Sequence, residues 1–374
     1  MVRWRRGTVT ALGRSWPGAQ ELDVRLEDGS AVLALAHPAL VGSPRRGDVV
    51  LLNVNALALG LGTGGYALVV ALPDRLPPDA EGPGHLVKAR YTPLQAVVLG
   101  ADEQDAPTHA LLAGDEPLPG TPVVVADLHS SLPAVLAGLL AERPATRVAY
   151  VMTDGGALPL WFSRTVAALA PRLVGTVTVG QAFGGDHEAV TLHSGLLTAV
   201  RVLGAEVVVV VQGPGNLGTG TAWGFSGVAA GEAVNAAAAV GGRPVAVLRM
   251  SLADPRPRHR GVSHHSTTAY GRVALAPADV VVPASYAGLV DHGPLGAAPV
   301  GAIAAARHRL VIVRDDDLVQ VLGPWSALLS SMGRGLADDP VAFVAAAAAG
   351  RHAAALVAGT GPAAPVTDDL GRAG

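Results

Sequence analysis

The pattern of apolar positions divides the chain in two. Up to about residue 88, apolar residues come in short runs rich in valine and leucine: "GTVTAL", "ELDVRLEDG", "SAVLALA", "DVVLLNVNAL" and "YALVVAL". Gly, Pro and Asp turns separate them, and no long helical period appears. This predicts a small β barrel or sandwich over residues 1–88. The proline-rich polar stretch Leu72 to Gly84 reads as a linker or long loop. From about Tyr91 the rhythm changes. The runs "QAVVLG" (from Gln95), "PVVVAD" (Pro122), "RVAYVMTD" (Arg147), "RLVGTVTVG" (Arg172), "EVVVVVQG" (Glu206), "RPVAVLRMS" (Arg243), "ADVVVP" (Ala278) and "RLVIVRD" (Arg309) read as strands. Alanine-rich stretches such as Ser130–Glu142 and Phe225–Gly242 lie between them. Such alternation implies βαβ units. The runs lack polar alternation, as strands covered on both faces should. The predicted fold class is therefore α/β: a small N-terminal β domain, then a doubly wound, mostly parallel α/β domain over residues 89–358. Val341–Val357 reads as a closing helix and residues 359–374 as a flexible tail.

Composition narrows the chemistry. Half of the 374 residues are hydrophobic, only 15% are charged and the net charge is −3, so nothing favours nucleic acid or an anionic membrane. Recognition of a phosphate would have to be local. With no cysteine, thiol nucleophiles, cysteine–zinc sites and disulfides are excluded. With Lys88 as its one lysine, the chain has no P-loop, whose pattern ends in Lys-Ser/Thr. The N-terminus lacks the apolar core of a signal peptide, and a cytoplasmic location is expected. Val49 to Pro73 is uncharged, but Asn53, Asn55 and "GLGTGG" (Gly60 to Gly65) interrupt it. Two strands around a glycine turn explain it better than a membrane span.

Ligands of parallel α/β sheets bind beyond the carboxyl ends of the strands. Five consecutive predicted strands end in polar or glycine-rich clusters: "DLHSS", "TDGGALP", "GQAFGGDHE", "QGPGNLGTGTAWGFSG" and "SLADPRPRHRGVSHHS". Together "VADLHSS", "MTDGGALP", "GPGNLGTGT" and "RMSLADPRPRHRGVSHHS" resemble an uncharacterised bacterial family, one of the domains of unknown function. The resemblance spans most of the chain and implies no activity.

The chemistry must come from the residues. Asp127 and His129 are two apart, so in an extended segment both side chains point the same way. They suit an acid–base pair or metal ligands, whereas the purely structural role of this stretch would be a serine helix cap. Asp154 sits in a strand-to-helix turn, where Asp and Gly also occur for local reasons. The Gly213–Thr221 loop contains GxGxxG, with Gly213, Gly215 and Gly218 at its glycine positions. It is long for a dinucleotide turn, and the first acid after the next strand is Asp254, farther on than such folds place it. A broader expectation is an anion cradle, with Thr219, Gly220 and Thr221 completing the donors. In "RPRHRGVSHHS", Arg256 and Arg258 are guanidinium forks on a proline-stiffened loop, and His259 follows. Ser263 reads as a helix N-cap, followed by His264 and His265. Neighbours on a helix diverge by about 100°, so one of the two rings is expected in the site.

The sequence thus predicts a hydrolase or transferase acting on a small anionic or phosphate-bearing molecule. Catalysis is assigned to Asp127, His129, Asp154, His259 and His264. Anion binding falls to Gly213, Gly215, Gly218, Thr219, Gly220, Thr221, Arg256 and Arg258. A divalent metal, zinc or manganese, would be held by Asp127, His129 and His264. A nucleotide-cofactor oxidoreductase and a non-catalytic nucleotide or anion sensor are the alternatives. A homo-oligomer is compatible with the sequence.

Overall fold

A computed structural model describes residues 2–61, 64–289 and 307–359. The N-terminal strands are β1 (Trp4–Trp16), β2 (Ala19–Leu26), β3 (Ala31–Ala36), β4 (Val49–Asn53) and β5 (Ala67–Ala71). They close a barrel in the order β1-β2-β3-β5-β4. β1 is long enough to pair with both β2 and β4, and its register shifts near Val9 and Leu12 let it bend between them. Alternate residues, among them Leu22, Val24, Val50, Leu52 and Val69, point inward and fill the barrel. The uncharged stretch Val49 to Pro73 thus holds two antiparallel barrel strands. Two residues of its "GLGTGG" lie outside the described residues.

The larger part is an eight-stranded sheet. Its strands are β8 (Pro122–Val125), β9 (Val148–Thr153), β10 (Gly175–Thr178), β11 (His187–Glu188), β12 (Val207–Gln212), β13 (Arg243–Val247), β16 (Asp279–Pro283) and β17 (Arg309–Val313). Every pairing is parallel, in the order β11-β10-β9-β12-β8-β13-β16-β17. Alternate strand residues enter two separate cores: Val124, Val207, Val209 and Val211 in one, Val123, Val125, Val208 and Val210 in the other. Helices Leu132–Glu142 and Pro340–Val357 cover the first core, and Leu192–Leu197 and Ala229–Ala239 the second. Gly138 and Gly350 let the first two helices approach backbone to backbone, with no room for a Cβ on either. Pro340–Val357 is, among the described residues, the one helix long and apolar enough to cross a membrane, and two thirds of it is buried inside the fold.

One expected strand behaves differently. "QAVVLG" does not become a strand of the sheet; it forms β7 (Ala96–Val98), which pairs antiparallel with β6 (Leu86–Lys88), and touches the sheet edge only by a bridge from Gly100 to Glu188. The run has only three paired residues and leaves Val97 exposed, too little apolar surface to enter a doubly covered sheet. Residue 88, expected to end the β domain, is the fully buried Lys88. Its Nζ donates to the Ala182 and Ala189 carbonyls and pairs with Glu188 at 3.4 Å. This ties the hairpin to the sheet edge. The barrel docks through Trp161: Trp16 Nε1 donates to its carbonyl at 2.7 Å, and His37 meets its ring at 5.8 Å. Of the predicted tail, residues 360–374 lie outside the described residues.

Candidate functional site

Chain order reverses around β8. Strands β9 to β11 lie on one side and β13, β16 and β17 on the other, with β12 returning between β9 and β8. A crevice at the carboxyl ends is expected at such a reversal. Asp127 follows β8, Gln212 ends β12, and Arg249 follows β13. A two-stranded ribbon, β14 (Met250–Ser251) with β15 (Gly261–Val262), then folds the chain back. It delivers "HRGVSHHS" onto these strand ends.

Three imidazoles meet there. The rings of His264 and His265 lie 4.5 Å apart, and that of His259 lies 5.0 Å from each. One nitrogen from each ring falls within 4.8 Å of the other two. Ser263 does cap the short helix His264–Thr268, accepting from the His265 amide at 3.2 Å. The expectation that only one of the two adjacent histidines faces the site fails. In the first turn there is no preceding turn to separate the rings, and helical Cα–Cβ bonds tilt toward the N-terminus. Both rings therefore lean toward His259. Phe225 completes the packing, stacked on His265 at 3.7 Å and edge-on to His264 at 5.8 Å.

The electrostatics keep two of these rings, His259 and His264, neutral. Burial pulls His259 down to about 3, helped by the nearby Arg249 and Arg256 charges and opposed by Asp254. Burial also lowers His264 to about 4, followed by the effects of His265, Arg258, Arg249 and Arg256. Neutral imidazole is the form that ligates a metal or acts as a base. His264 Nε2 is a buried nitrogen with no hydrogen-bond partner. His259 Nδ1 is 2.7 Å from Ser263 Oγ. With its proton on Nδ1, Nε2 is left free. His265 Nδ1 is 3.3 Å from Asp127 Oδ2 and 2.9 Å from Arg249 Nη1. Three imidazole nitrogens at ~2.1 Å from one ion would be about 3.4 Å apart, so small ring movements convert this cluster into a metal centre.

The family model described as Protein of unknown function (DUF3866) matches residues 33–350. The chain belongs to this family. No curated protein and no solved structure matches it. The part of this DUF3866 chain that the family model covers includes every residue of the histidine cluster.

The other expected site residues are placed differently. Asp127 reaches the cluster through His265, but His129 does not join it. The chain enters a helical turn at His129, so the alternation of an extended segment ends there. His129 instead points at Ser163, whose hydroxyl donates to Nε2 at 2.7 Å, with Tyr150 and the Gln212 carbonyl at Nδ1. Burial lowers it to about 4. Asp154 is exposed and accepts from the Gln181 amide, a local turn role. Arg256 is committed to Asp254 through two nitrogens, at 2.9 and 2.8 Å. Arg258 is exposed beside Gly220.

The Gly213–Thr221 loop differs from an anion cradle. Leu217, Thr219 and Gly224 direct their amides at Ser226 Oγ, the Gly224 carbonyl and Thr221 Oγ1, and the Thr219 and Thr221 hydroxyls face each other. Gly213 packs on Ala157, Gly215 and Gly220 have positive φ, and Gly218 bridges to Phe225. The loop is a self-bonded hairpin whose end seats Phe225 on the histidines, and it lacks the short turn of a dinucleotide site. Sequence reasoning missed Arg249 and Phe225, and took His264 and His265 as alternatives where both are present. Arg249 carried a signal, as the first charged residue after a buried strand.

Proposed function

We propose that this chain is a metal-assisted hydrolase or transferase acting on a small phosphate-bearing or otherwise anionic molecule. The observation that carries this is the convergence of His259, His264 and His265, all held by packing, with His264 Nε2 buried and unpartnered. Three imidazoles suit zinc better than manganese, which prefers more oxygen ligands. A bound ion would supply a water of lowered pKa and a positive charge for the oxygens of the anion. The chain's own groups have separate parts in this reading. The imidazoles hold the ion, Asp127 steers the His265 tautomer, and Arg249 and Arg258 meet the anion. The reaction would take place in the cytoplasm, at the strand-order reversal of a doubly wound sheet.

Metal analysis of the purified full chain, combined with hydrolysis of p-nitrophenyl phosphate and bis(p-nitrophenyl) phosphate under added zinc or manganese, tests this. Stoichiometric metal is expected, with turnover falling more than about a hundredfold in His259→Ala, His264→Ala and His265→Ala. A protein that retains no metal, and whose turnover ignores all three substitutions, refutes the reading. Metal binding with no turnover of any ester would instead make it a sensor.

A further inference from the structure

Trp223 stands at the tip of the hairpin that leads into Phe225, and 56% of it is exposed. Single exposed apolar side chains are ordinary, but this one has a fixed setting. The Thr219 amide donates to the Gly224 carbonyl at 2.7 Å, and the Gly224 amide to Thr221 Oγ1 at 3.0 Å, which closes the tip. Two residues after the indole, Phe225 is stacked on His265 at 3.7 Å, so the tip is fastened to the histidine cluster. Two guanidinium groups reach the same tip. Arg272 Cζ lies over the Trp223 ring, 5.7 Å from its centroid. Arg258 Nη2 lies 3.9 Å from where a Gly220 Cβ would stand. Neither has a carboxylate partner among the described residues, whereas Arg249 and Arg256, whose charges also reach the cluster, are both ion-paired. Arg258 adjoins His259 in the chain. Arg272 follows His265 by seven residues on one continuous helical run, about 10 Å further along its axis. The tip therefore presents an open indole with an unpaired cation towards the histidines and another farther out. An anion that carries a flat aromatic group matches this surface in both charge and shape.

We propose that Trp223 is a base-stacking platform and that the anion bound beside the histidines is a free nucleoside 5′-phosphate. This rests on the reading above of a phosphate-bearing substrate and names its class. The base stacks on the indole, which Arg272 steadies by its cation–π contact. The phosphate meets Arg258, whose guanidinium fork suits its oxygens and whose place in the chain sets it against the cluster. Every base has a π face, so the platform discriminates against a missing base rather than among bases.

The test uses metal-free full-length protein, so that turnover does not interfere and the metal centre is not drawn upon. Saturation-transfer NMR is recorded with AMP and with ribose 5-phosphate, which keeps the phosphate and lacks the base, for wild type, Trp223→Ala, Trp223→Phe and Arg258→Met. Trp223 and Arg258 are exposed, so these changes leave the core intact. Wild type should bind AMP at least about tenfold tighter than ribose 5-phosphate, with the adenine protons taking most of the transferred saturation. Trp223→Ala should erase that preference and Trp223→Phe should keep most of it. Arg258→Met should weaken both ligands by a similar factor. Equal affinity of wild type for the two ligands, or a preference that survives Trp223→Ala, overturns the platform. A single-stranded tetranucleotide bound at least about tenfold tighter than AMP overturns the free nucleotide as the ligand. A Trp223-dependent preference for AMP in a protein that retains no metal upholds the platform and removes the metal reading alone.

Discussion

Acidifying the metal-free protein from pH 7 to pH 5 should leave His259 and His129 uncharged and destabilise the fold. His259 is held down to about 3 and His129 to about 4, in each case chiefly by burial. An ordinary histidine, near 6.5, is almost fully protonated at pH 5. A lowered pKa means that the unfolded chain binds more protons than the folded one between the two values. The stability these residues contribute is therefore complete above about pH 6.5 and is lost as pH falls towards 4. Each group gives at most about 1.4 kcal/mol per pH unit inside that window, so from pH 7 to 5 His259 and His129 cost about 2 kcal/mol each. His264, lowered to about 4, adds less because its ring is partly exposed to solvent. The assay is a C2–H NMR titration of the imidazoles beside urea unfolding at pH 7, 6 and 5, for wild type and His259→Gln. The variant should lose one proton's share of the pH slope. A His259 or His129 resonance that titrates above pH 5.5, or a variant with the wild-type slope, refutes the reasoning. The consequence for function is direct: imidazoles that remain neutral at pH 5 stay available to a cation where ordinary ones do not.

Three further outcomes are expected. Gly227→Ala places a methyl 2.9 Å from the Asp127 Cβ, so Asp127 must shift away from His265; metal affinity by competition with a chelating dye should drop about ten- to a hundredfold, with stability falling about 1–3 kcal/mol. Lys88→Met leaves Glu188 without its buried counter-charge and two carbonyls without a donor, and should cost about 3–5 kcal/mol in chemical denaturation, part of which Glu188→Gln restores. Asp279 is buried, which disfavours its charge, yet hydrogen bonds from His352 and Arg309 and the Arg243 charge outweigh that and hold it well below the ordinary carboxylate range. Asp279→Ala should lower stability by about 3–5 kcal/mol at pH 7, and by progressively less as acid protonates the wild-type carboxyl.

The sequence made the sheet legible because burial on two faces leaves a mark that one residue cannot erase. Runs such as "EVVVVVQG" have no polar alternation, and β12 is buried at every position. "QAVVLG" carried the same mark over too few residues, and it became a hairpin. The strand ends were legible as a region for the same reason. The barrel's closure was not, because the order β1-β2-β3-β5-β4 depends on pairings between distant strands that no local pattern encodes.

Within the site, local geometry misled wherever backbone conformation changed at the residue in question. Asp127 and His129 part company because the strand geometry that would align them stops at Leu128. His264 and His265 meet because both side chains tilt toward the helix's open N-terminal end, where no preceding turn stands between them. The same cause lies behind both outcomes: site residues sit at the junctions of elements, where the period of the strand or helix does not by itself decide which side chains meet. What fixes them is tertiary. Phe225, some 40 residues earlier in the chain, flattens His265 against its own ring, and the β14–β15 ribbon brings His259 within 5.0 Å. Arg249 is the clearest case. Its position after a buried strand is legible in the sequence, but its contact with His265 is visible only once Asp127 is placed on the same nitrogen. Two partners on one nitrogen, Arg249 at 2.9 Å and Asp127 at 3.3 Å, follow strands β13 and β8, whose ends meet only through the pairing of the sheet.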